Sequence, residues 1–130
     1  MPGVAETYDG MLNDINGLHV TEAHARAALN NAVTGQISEG NVGGGTGMIC
    51  YEFKGGTGTS SRQIKISGNH YQAAALVQAN HGRREDLTIL GSPVGKHLTH
   101  DVMPGDLAVG CVIVISATDA SLLRQQLKRF

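Results

Sequence analysis

Two short apolar runs mark the second half of the chain, at residues 71–78 and 112–117. Each has the length of a strand rather than of a helix, and neither alternates apolar with polar positions throughout. Continuous apolar runs of this kind are typical of strands that are covered on both faces. The pattern therefore predicts two central strands of a sheet, the first with a polar tip at Asn80.

A hairpin is predicted in the first half of the chain. Residues 48–53 and 61–66 are strand-like, and the glycine-rich stretch 55–58 between them indicates the turn. The glycines of residues 40–47 precede this hairpin as a flexible entrance. We expect most of these glycines to let a strand or a turn pass close to another backbone.

Two helices complete the pattern. Thr21 is a typical N-cap, and an alanine-rich stretch favours a helix through to Gly35 whose small-residue face can pack close to a sheet. Asp119 is the candidate N-cap of a second helix, in which Leu123, Leu127 and Phe130 share one face. Loops and turns are predicted at residues 6–17, 87–100 and 104–106.

Composition narrows the class of protein. The chain has 130 residues, 41% of them hydrophobic, which suits one domain with its own core. Its formal net charge of −1 provides no field to attract nucleic acid or anionic lipid, and no apolar run approaches the roughly 20 residues of a membrane span. The first residues lack the regions of a signal peptide. The sequence therefore predicts a cytoplasmic protein with neither nucleic acid nor membrane as a partner.

No cofactor and no metal ion are predicted. Residues 91–97 fall one position short of a phosphate-binding loop and lack the hydroxyl after the lysine, and Met48 stands where the dinucleotide motif requires its last glycine. Of the six histidines, His97 and His100 have no third ligand at a useful spacing. Surface or hydrogen-bonded histidines are the more common explanation for such a distribution.

The Gly110-Cys111 pair carries the strongest chemical signal. Cys50 and Cys111 match no CxxC pattern, which favours reduced thiols, and Cys111 alone is typical of a buried core cysteine. The context of Cys111 is unusual, because this residue begins a predicted strand and follows a sequence without regular periodicity that ends in Gly110. A thiol after glycine can attack the preceding carbonyl by an N-to-S acyl shift, and the α-amine that cleavage exposes can then serve as general base for the same thiol. The pair therefore predicts a bond that the protein cuts itself.

Five motifs resemble the DmpA family of self-processing aminopeptidases, the L-aminopeptidase/D-esterase and β-peptidyl aminopeptidase group of peptidase family S58. They are Glu6-Thr7-x-Asp9-Gly10-x-Leu12-Asn13-Asp14-Ile15, Gly40-Asn41-Val42-Gly43-Gly44-Gly45-Thr46-Gly47-Met48, Phe53-Lys54-Gly55-Gly56-x-Gly58-Thr59, Val77-Gln78-Ala79-Asn80-x-Gly82-Arg83-Arg84 and Ala117-Thr118-Asp119-Ala120. Their order and number make the resemblance specific, and it extends over nearly the whole chain. The resemblance implies an α/β fold, an αββα sandwich similar to amino-terminal nucleophile hydrolases, of which this chain is a single partial domain.

The resemblance also implies a division of the chain. Cleavage between Gly110 and Cys111 would separate residues 1–110, the end of the first (α) subunit region, from residues 111–130, the start of the second (β). Cys111 would then be the catalytic nucleophile at the new amino terminus.

Three further site residues follow from the same resemblance. Tyr8 and Asn80 match the catalytic donors that stabilise the oxyanion, and Glu6 matches the carboxylate that binds the free amine of the substrate. Without the resemblance, Asn80 would be assigned to a strand-end turn and Tyr8 to the half-buried aromatic residues.

The predicted function is an aminopeptidase or amidase that acts on small peptides, amides or esters through an acyl-enzyme on Cys111. At full length, the resemblance implies a homo-oligomer of processed heterodimers. The nucleophile departs from the family, which usually has serine there, and the family's helper serine and glutamate would lie past Phe130. One alternative is an acyltransferase resembling ornithine acetyltransferase, against which Glu6 argues. The other is an inactive fragment that associates through exposed strands.

Overall fold

The structure, a computed structural model, describes residues 4–101 and 110–129. The described strands are β1 (Ile49–Cys50), β2 (Phe53–Lys54), β3 (Gly56–Ile66), β4 (Asn69–Asn80) and β5 (Cys111–Thr118), and the α-helices are α1 (Glu22–Asn30) and α2 (Arg124–Leu127). Short 3₁₀ helices lie at Ile15–Gly17, Gly43–Gly47, Arg84–Asp86 and Val94–His97. Strands β3, β4 and β5 form one antiparallel sheet in that order, and β1 and β2 form a separate small hairpin. Among the described residues, no helix is both long enough and apolar enough to cross a membrane.

Strand β4 lies at the centre of the three-stranded sheet, with β3 on one side and β5 on the other. The central strand predicted at residues 71–78 is therefore confirmed. The run at residues 112–117 is also a strand, but in the described residues β5 pairs with β4 alone, and Val112, Val114 and Ile115 are about half exposed. The prediction of a second central strand is wrong for this part of the chain. An apolar run shows that a strand is able to be buried on both faces. The described residues do not pack over the exposed apolar side chains of β5.

The β3–β4 hairpin turns at Ser67 and Gly68, whose φ angles of 50° and 85° are both positive. Two-residue loops of this kind match the twist of antiparallel strands. The turn predicted at residues 55–58 is wrong, because β3 already begins at Gly56. Glycine is needed there for a close approach instead, since a Cβ on Gly56 would lie 2.8 Å from the carbonyl oxygen of Gly40.

Strand β1 reverses at once into β2, so the predicted pairing of residues 48–53 with residues 61–66 is also wrong. The reversal uses Tyr51 and Glu52, with φ angles of 51° and 60°. Positive φ is uncommon for residues other than glycine. The turn is supported by the backbone N–H of Tyr51, which donates to the carbonyl of His81 (2.8 Å) and so attaches the small hairpin to the end of β4.

Helix α1 begins after the predicted N-cap Thr21, whose backbone N–H donates to Nδ1 of His24 (3.0 Å). It ends at Asn30 and does not reach Gly35. All of its residues are exposed. The expected packing of its small residues against a sheet is therefore absent from the part of the chain that the structure describes.

Helix α2 begins at Arg124, later than the predicted N-cap Asp119. The carboxylate of Asp119 instead accepts a hydrogen bond from the backbone N–H of Gln72 (2.7 Å), which ties the end of β5 to β4. Phe130 and the turn predicted at residues 104–106 lie outside the described residues.

The core lies where the glycine-rich segment, β1 and the end of β4 meet. Met48 and Ile49 are its buried apolar side chains. A Cβ on Gly45 would lie 2.5 Å from the carbonyl oxygen of Gly40, so this segment packs backbone against backbone, as the sequence predicts. Nζ of Lys54 donates to three carbonyls around it, including that of Gly45 (2.9 Å). Among the described residues, the best-packed region is thus at the end of the sheet where β4 ends and β5 begins.

An exposed carboxylate supports the first half of β3. Glu39 accepts hydrogen bonds from the hydroxyl and from the backbone N–H of Thr59, the latter at 2.8 Å. Because both bonds favour the charged form, they lower the pKa of Glu39 from its ordinary value, and the bond from the hydroxyl contributes most.

Candidate active site

The β4–β5 register brings Asn80 and Cys111 side by side. Asn80 is the last residue of β4, Cys111 is the first residue of β5, and the two are directly opposite each other. Opposed residues of an antiparallel pair project from the same face of the sheet, with Cβ atoms roughly 5 Å apart. Cys111 is exposed and its thiol is free. The predicted nucleophile therefore lies next to one of the two predicted oxyanion donors.

The side-chain amide of Asn80 is buried and held at both ends. The residue is 6% exposed, its Oδ1 accepts from the backbone N–H of Ile49 (3.2 Å), and its Nδ2 donates to the backbone carbonyl of Tyr8 (2.5 Å). An N–H only donates and a carbonyl only accepts, so these partners fix which end of the amide is oxygen. In the described residues Nδ2 has this one acceptor, which leaves its second hydrogen for a ligand.

A small cavity of about 20 Å³ lies beside this amide. Its walls include Tyr8, Ile49, Asn80, His81 and Gly110. A cavity of this volume holds about one water molecule. It therefore suits a single polar atom rather than a side chain, and the two predicted oxyanion donors border the same space as the glycine of the predicted cleavage site.

Gly110 lies against the end of β4 with no room for a side chain. A Cβ on Gly110 would overlap the carbonyl oxygen of Asn80 and lie 2.6 Å from Cα of His81. Any other residue would push this backbone away from β4. Steric exclusion therefore requires glycine before Cys111. The predicted N-to-S acyl shift favours glycine at the same position.

Tyr8 is held beside the cavity through its backbone. In addition to the bond from Asn80, Oγ1 of Thr7 accepts from Nε2 of Gln78 (2.7 Å), so two consecutive residues are attached to β4. The Tyr8 ring folds back over Gly10, where a Cβ would lie 2.7 Å from the phenol oxygen. The residue is 54% exposed, which leaves the ring open to a ligand.

Glu6 lies two residues before Tyr8 on the same attached segment, and it is exposed. It is not among the described residues that line the cavity. The structure thus groups Tyr8, Asn80, Gly110 and Cys111 at one end of the sheet. Of the predicted site residues, Cys111 and Glu6 are both outside the described cavity wall.

Three contributors to the site are missed by the sequence analysis. Ile49 acts through its main-chain N–H, which carries no residue-type signal. Gln78 attaches the segment that carries Tyr8. His81 forms part of the wall, and its ring meets that of Tyr51 edge-on at 5.2 Å between centroids. The sequence signal for His81 is its position between Asn80 and Gly82 in the fourth motif.

The grouped side chains provide the parts needed for attack on a carbonyl. Cys111 lies opposite Asn80 in the β4–β5 register, and Tyr8 and Asn80 line the same cavity. A thiol, an amide N–H and a phenol hydroxyl are the groups used in nucleophilic catalysis with oxyanion stabilisation. Within residues 4–101 and 110–129, the His, Cys, Asp and Glu side chains form no group of three or more that could hold a metal ion.

Comparison with known sequences identifies the family. The family described as peptidase family S58 matches residues 1–130. Two curated relatives are β-peptidyl aminopeptidases named BapA. The protein from Sphingosinicella microcystinivorans is 49% identical, over 98% of this chain and 36% of its own length. The protein from Sphingosinicella xenopeptidilytica is 45% identical, over 99% of this chain and 35% of its own length. The chain thus spans about a third of the length of the curated relatives that it matches.

Solved structures agree with this result. The L-aminopeptidase D-Ala-esterase/amidase from Ochrobactrum anthropi, described as a variant of the Ntn hydrolase fold, has a TM-score of 0.85 and 55% identity over 94% of this chain and 33% of its own. A β-aminopeptidase from Burkholderia sp. has a TM-score of 0.81 and 52% identity over 94% and 33%. The α/β class is therefore confirmed, and the described elements are part of an amino-terminal nucleophile (Ntn) hydrolase fold. Because the family match extends over the whole chain, the chain belongs to peptidase family S58.

Proposed function

We propose that this chain is part of a self-processing aminopeptidase that hydrolyses amino-terminal residues of small peptides, amides or esters through an acyl-enzyme on Cys111. The observation that carries the proposal is the pairing of Asn80 with Cys111, beside a cavity for one polar atom. The aminopeptidase names of the relatives support the substrate class. They do not favour the acyltransferase alternative.

The first reaction is cleavage of the chain itself. The sulfur of Cys111 attacks the carbonyl carbon of Gly110, and the peptide nitrogen of Cys111 takes a proton and leaves, so that a thioester joins the two residues. Water then hydrolyses the thioester to a Gly110 carboxylate and a Cys111 with a free thiol and α-amine. In this proposal residues 1–110 end the first subunit region and residues 111–130 start the second.

Substrate hydrolysis uses the same residue as base and nucleophile. The α-amine of Cys111 takes the thiol proton, and the thiolate attacks the substrate carbonyl. The charge that develops on the carbonyl oxygen is stabilised by Nδ2 of Asn80 and by the hydroxyl of Tyr8. The leaving amine receives the proton, and water releases the acyl group in a second attack. No step requires a cofactor or a metal ion.

Glu6 is proposed to bind the ammonium group of the substrate. Its exposure on the segment that carries Tyr8 supports this role, because the carboxylate is open to a ligand while its backbone neighbours are fixed. A charge-assisted contact of this kind selects a free amino terminus. A cytoplasmic location and an assembly of processed heterodimers are part of the same proposal.

Intact-mass spectrometry and kinetics on a full-length protein that contains this segment test the proposal. We expect two chains, the second beginning with Cys111, and hydrolysis of an amino-acid p-nitroanilide. Cys111→Ala should abolish both, whereas Cys111→Ser should retain part of each, because a hydroxyl is the usual nucleophile of the family. Cys50→Ala is the matched control and should change neither, since Cys50 lies in β1. An uncut but active protein, or equal losses in the Cys50 and Cys111 variants, would exclude the mechanism.

A further inference from the structure

Lys54 is a lysine of β2 whose ammonium group binds backbone carbonyls. Its Nζ donates to the carbonyls of Gly45 (2.9 Å), Met48 (3.2 Å) and Gly55 (2.7 Å). The bonds to Gly45 and Met48 are partly buried. A hydrogen bond from a charged donor is roughly twice as strong as one between neutral groups. One of the acceptors, Met48, directly precedes β1.

The Met48 carbonyl belongs to the same peptide group as the N–H of Ile49. That N–H donates to Oδ1 of Asn80 (3.2 Å) in a buried hydrogen bond. The peptide bond is trans, and the C=O and N–H of a planar trans peptide point in opposite directions. The ammonium group of Lys54 and the side-chain amide of Asn80 are therefore joined in series through one peptide group.

Polarisation of the Asn80 amide is the chemical consequence of this series. Nδ2 of Asn80 is the proposed oxyanion donor, and it shares its amide with Oδ1. A hydrogen bond accepted by Oδ1 draws electron density from Nδ2, so the N–H groups of Nδ2 become stronger donors, as in other chains of hydrogen bonds. The positive charge of Lys54 at the start of the chain increases this effect, and its bond to Met48 fixes the direction of the Ile49 N–H.

Main-chain contacts hold the small hairpin in place independently of the lysine side chain. Lys54 is directly opposite Ile49 in the β1–β2 register, and the backbone N–H of Gly55 donates to the same Met48 carbonyl (2.8 Å). A Cβ on Gly55 would lie 2.6 Å from the carbonyl oxygen of Ala79, so the hairpin packs closely against β4. Replacement of the side chain should therefore remove the charge and leave the hairpin attached.

We propose that Lys54 is a positioning residue for catalysis, because its charge acts through the Met48–Ile49 peptide group to orient and polarise the Asn80 amide. The inference rests on the proposed function, in which Asn80 stabilises the oxyanion. Lys54 is not among the described residues that line the cavity beside Asn80, so its effect on the reaction passes through that amide.

Hydrolysis of an amino-acid p-nitroanilide by the full-length protein, measured per cleaved molecule, tests the inference. Loss of a whole oxyanion donor lowers kcat by about 10²–10³-fold, and a chain of hydrogen bonds strengthens each bond by about 10–30%. A donor weakened by that fraction loses about two- to eightfold in kcat, which is the effect expected of Lys54→Met, with KM nearly unchanged. Lys54→Arg keeps the charge and should retain more of kcat. Lys65→Met is the matched control, because Lys65 is exposed at the end of β3 that is farthest from Lys54.

A double-mutant cycle with Asn80→Ala separates positioning from general stability. Without the Asn80 amide Lys54 has no group to act through, so adding Lys54→Met to Asn80→Ala should have no measurable further effect on kcat. A merely structural residue would lower kcat by the same factor in both backgrounds, in step with the melting temperature of precursors that carry Cys111→Ala.

The side-chain amide signals of Asn80 provide a readout that does not depend on cleavage. In an uncut full-length precursor with Cys111→Ala and isotope-labelled asparagine, Lys54→Met should move the Nδ2 proton resonances of Asn80 to higher field, because a less polarised amide makes weaker hydrogen bonds. Lys65→Met should not move them. Lys54→Gln, which keeps an uncharged donor, replaces Lys54→Met in all of these measurements if the methionine variant does not fold.

Three results would overturn the inference. They are an unchanged kcat in the folded Lys54→Met enzyme, a loss in kcat of the same factor when Lys54→Met is added to Asn80→Ala, and Asn80 resonances that do not move. If Asn80→Ala alone leaves kcat unchanged, the proposed role of Asn80 fails, so that failure is distinguishable from the failure of Lys54.

Discussion

Replacing Asn80 with alanine removes one buried hydrogen bond, one partly buried hydrogen bond and one proposed catalytic donor at once. The N–H of Ile49 is left buried without a partner, which costs about 1–3 kcal/mol. The carbonyl of Tyr8 is only partly buried, and loss of its bond costs about 0.5–1.5 kcal/mol. We therefore expect the free energy of unfolding to fall by about 1.5–4.5 kcal/mol, which a domain of ordinary stability survives.

The effect on catalysis should be larger in kcat than in KM. An oxyanion donor acts on charge that exists only in the transition state, and loss of one such donor lowers kcat by about 10²–10³-fold. The assay is hydrolysis of an amino-acid p-nitroanilide by the processed full-length enzyme, with denaturant unfolding as the parallel measurement of stability.

Gln78→Ala is the matched control for this experiment. Gln78 lies two residues earlier on the same face of β4, and among the described residues its amide makes one hydrogen bond, to Oγ1 of Thr7. Its loss should cost about 0.5–1.5 kcal/mol and leave kcat within a few fold. Unchanged kcat in Asn80→Ala would remove Asn80 from the site. Equal losses in both variants would trace the effect to displacement of the Tyr8 segment, and unchanged stability would refute the burial argument.

Two further predictions concern carboxylates. Glu6→Gln should raise KM about 10-fold or more with kcat nearly unchanged, because the ammonium contact exists in ground and transition states alike; a loss in kcat alone would contradict this role. Thr59→Val removes the hydroxyl that lowers the pKa of Glu39. Since a depressed carboxyl pKa stabilises the fold only while the group is charged, the wild-type advantage in Tm should be complete above about pH 5 and shrink below about pH 4. A difference that is independent of pH would refute the assignment.

The apolar runs locate strands but do not determine their partners. Residues 71–78 and 112–117 are strands as predicted, because their length and lack of alternation leave little choice. The predicted turn at residues 55–58 is misplaced because glycine has two structural roles in this chain. Gly56 admits a neighbouring backbone inside a strand, whereas Gly68 provides the positive φ of the actual turn. The residue type is the same in both places, and only the surrounding chain tells them apart.

The motifs identify the side chains that come together at the site, but not the contacts that fix their positions. Asn80 and Tyr8 meet although they are 72 residues apart. The sequence predicts Asn80 at a strand end, which the structure confirms, but not that its side chain is buried. Its burial depends on the N–H of Ile49, a main-chain group that no residue pattern reports. The role of Glu6 depends on a substrate, so it stays a prediction.

The ladder between β4 and β5 joins the two sides of the proposed cut. All eight residues of β5 pair with β4, and Asp119 adds a bond to Gln72. Cleavage at Gly110–Cys111 therefore leaves two polypeptides in one continuous sheet. On denaturation they would separate, and refolding would become a bimolecular reaction whose rate depends on concentration, whereas the precursor refolds as a single chain. The mature protein would then rely on slow unfolding for its lifetime more than on its ability to refold.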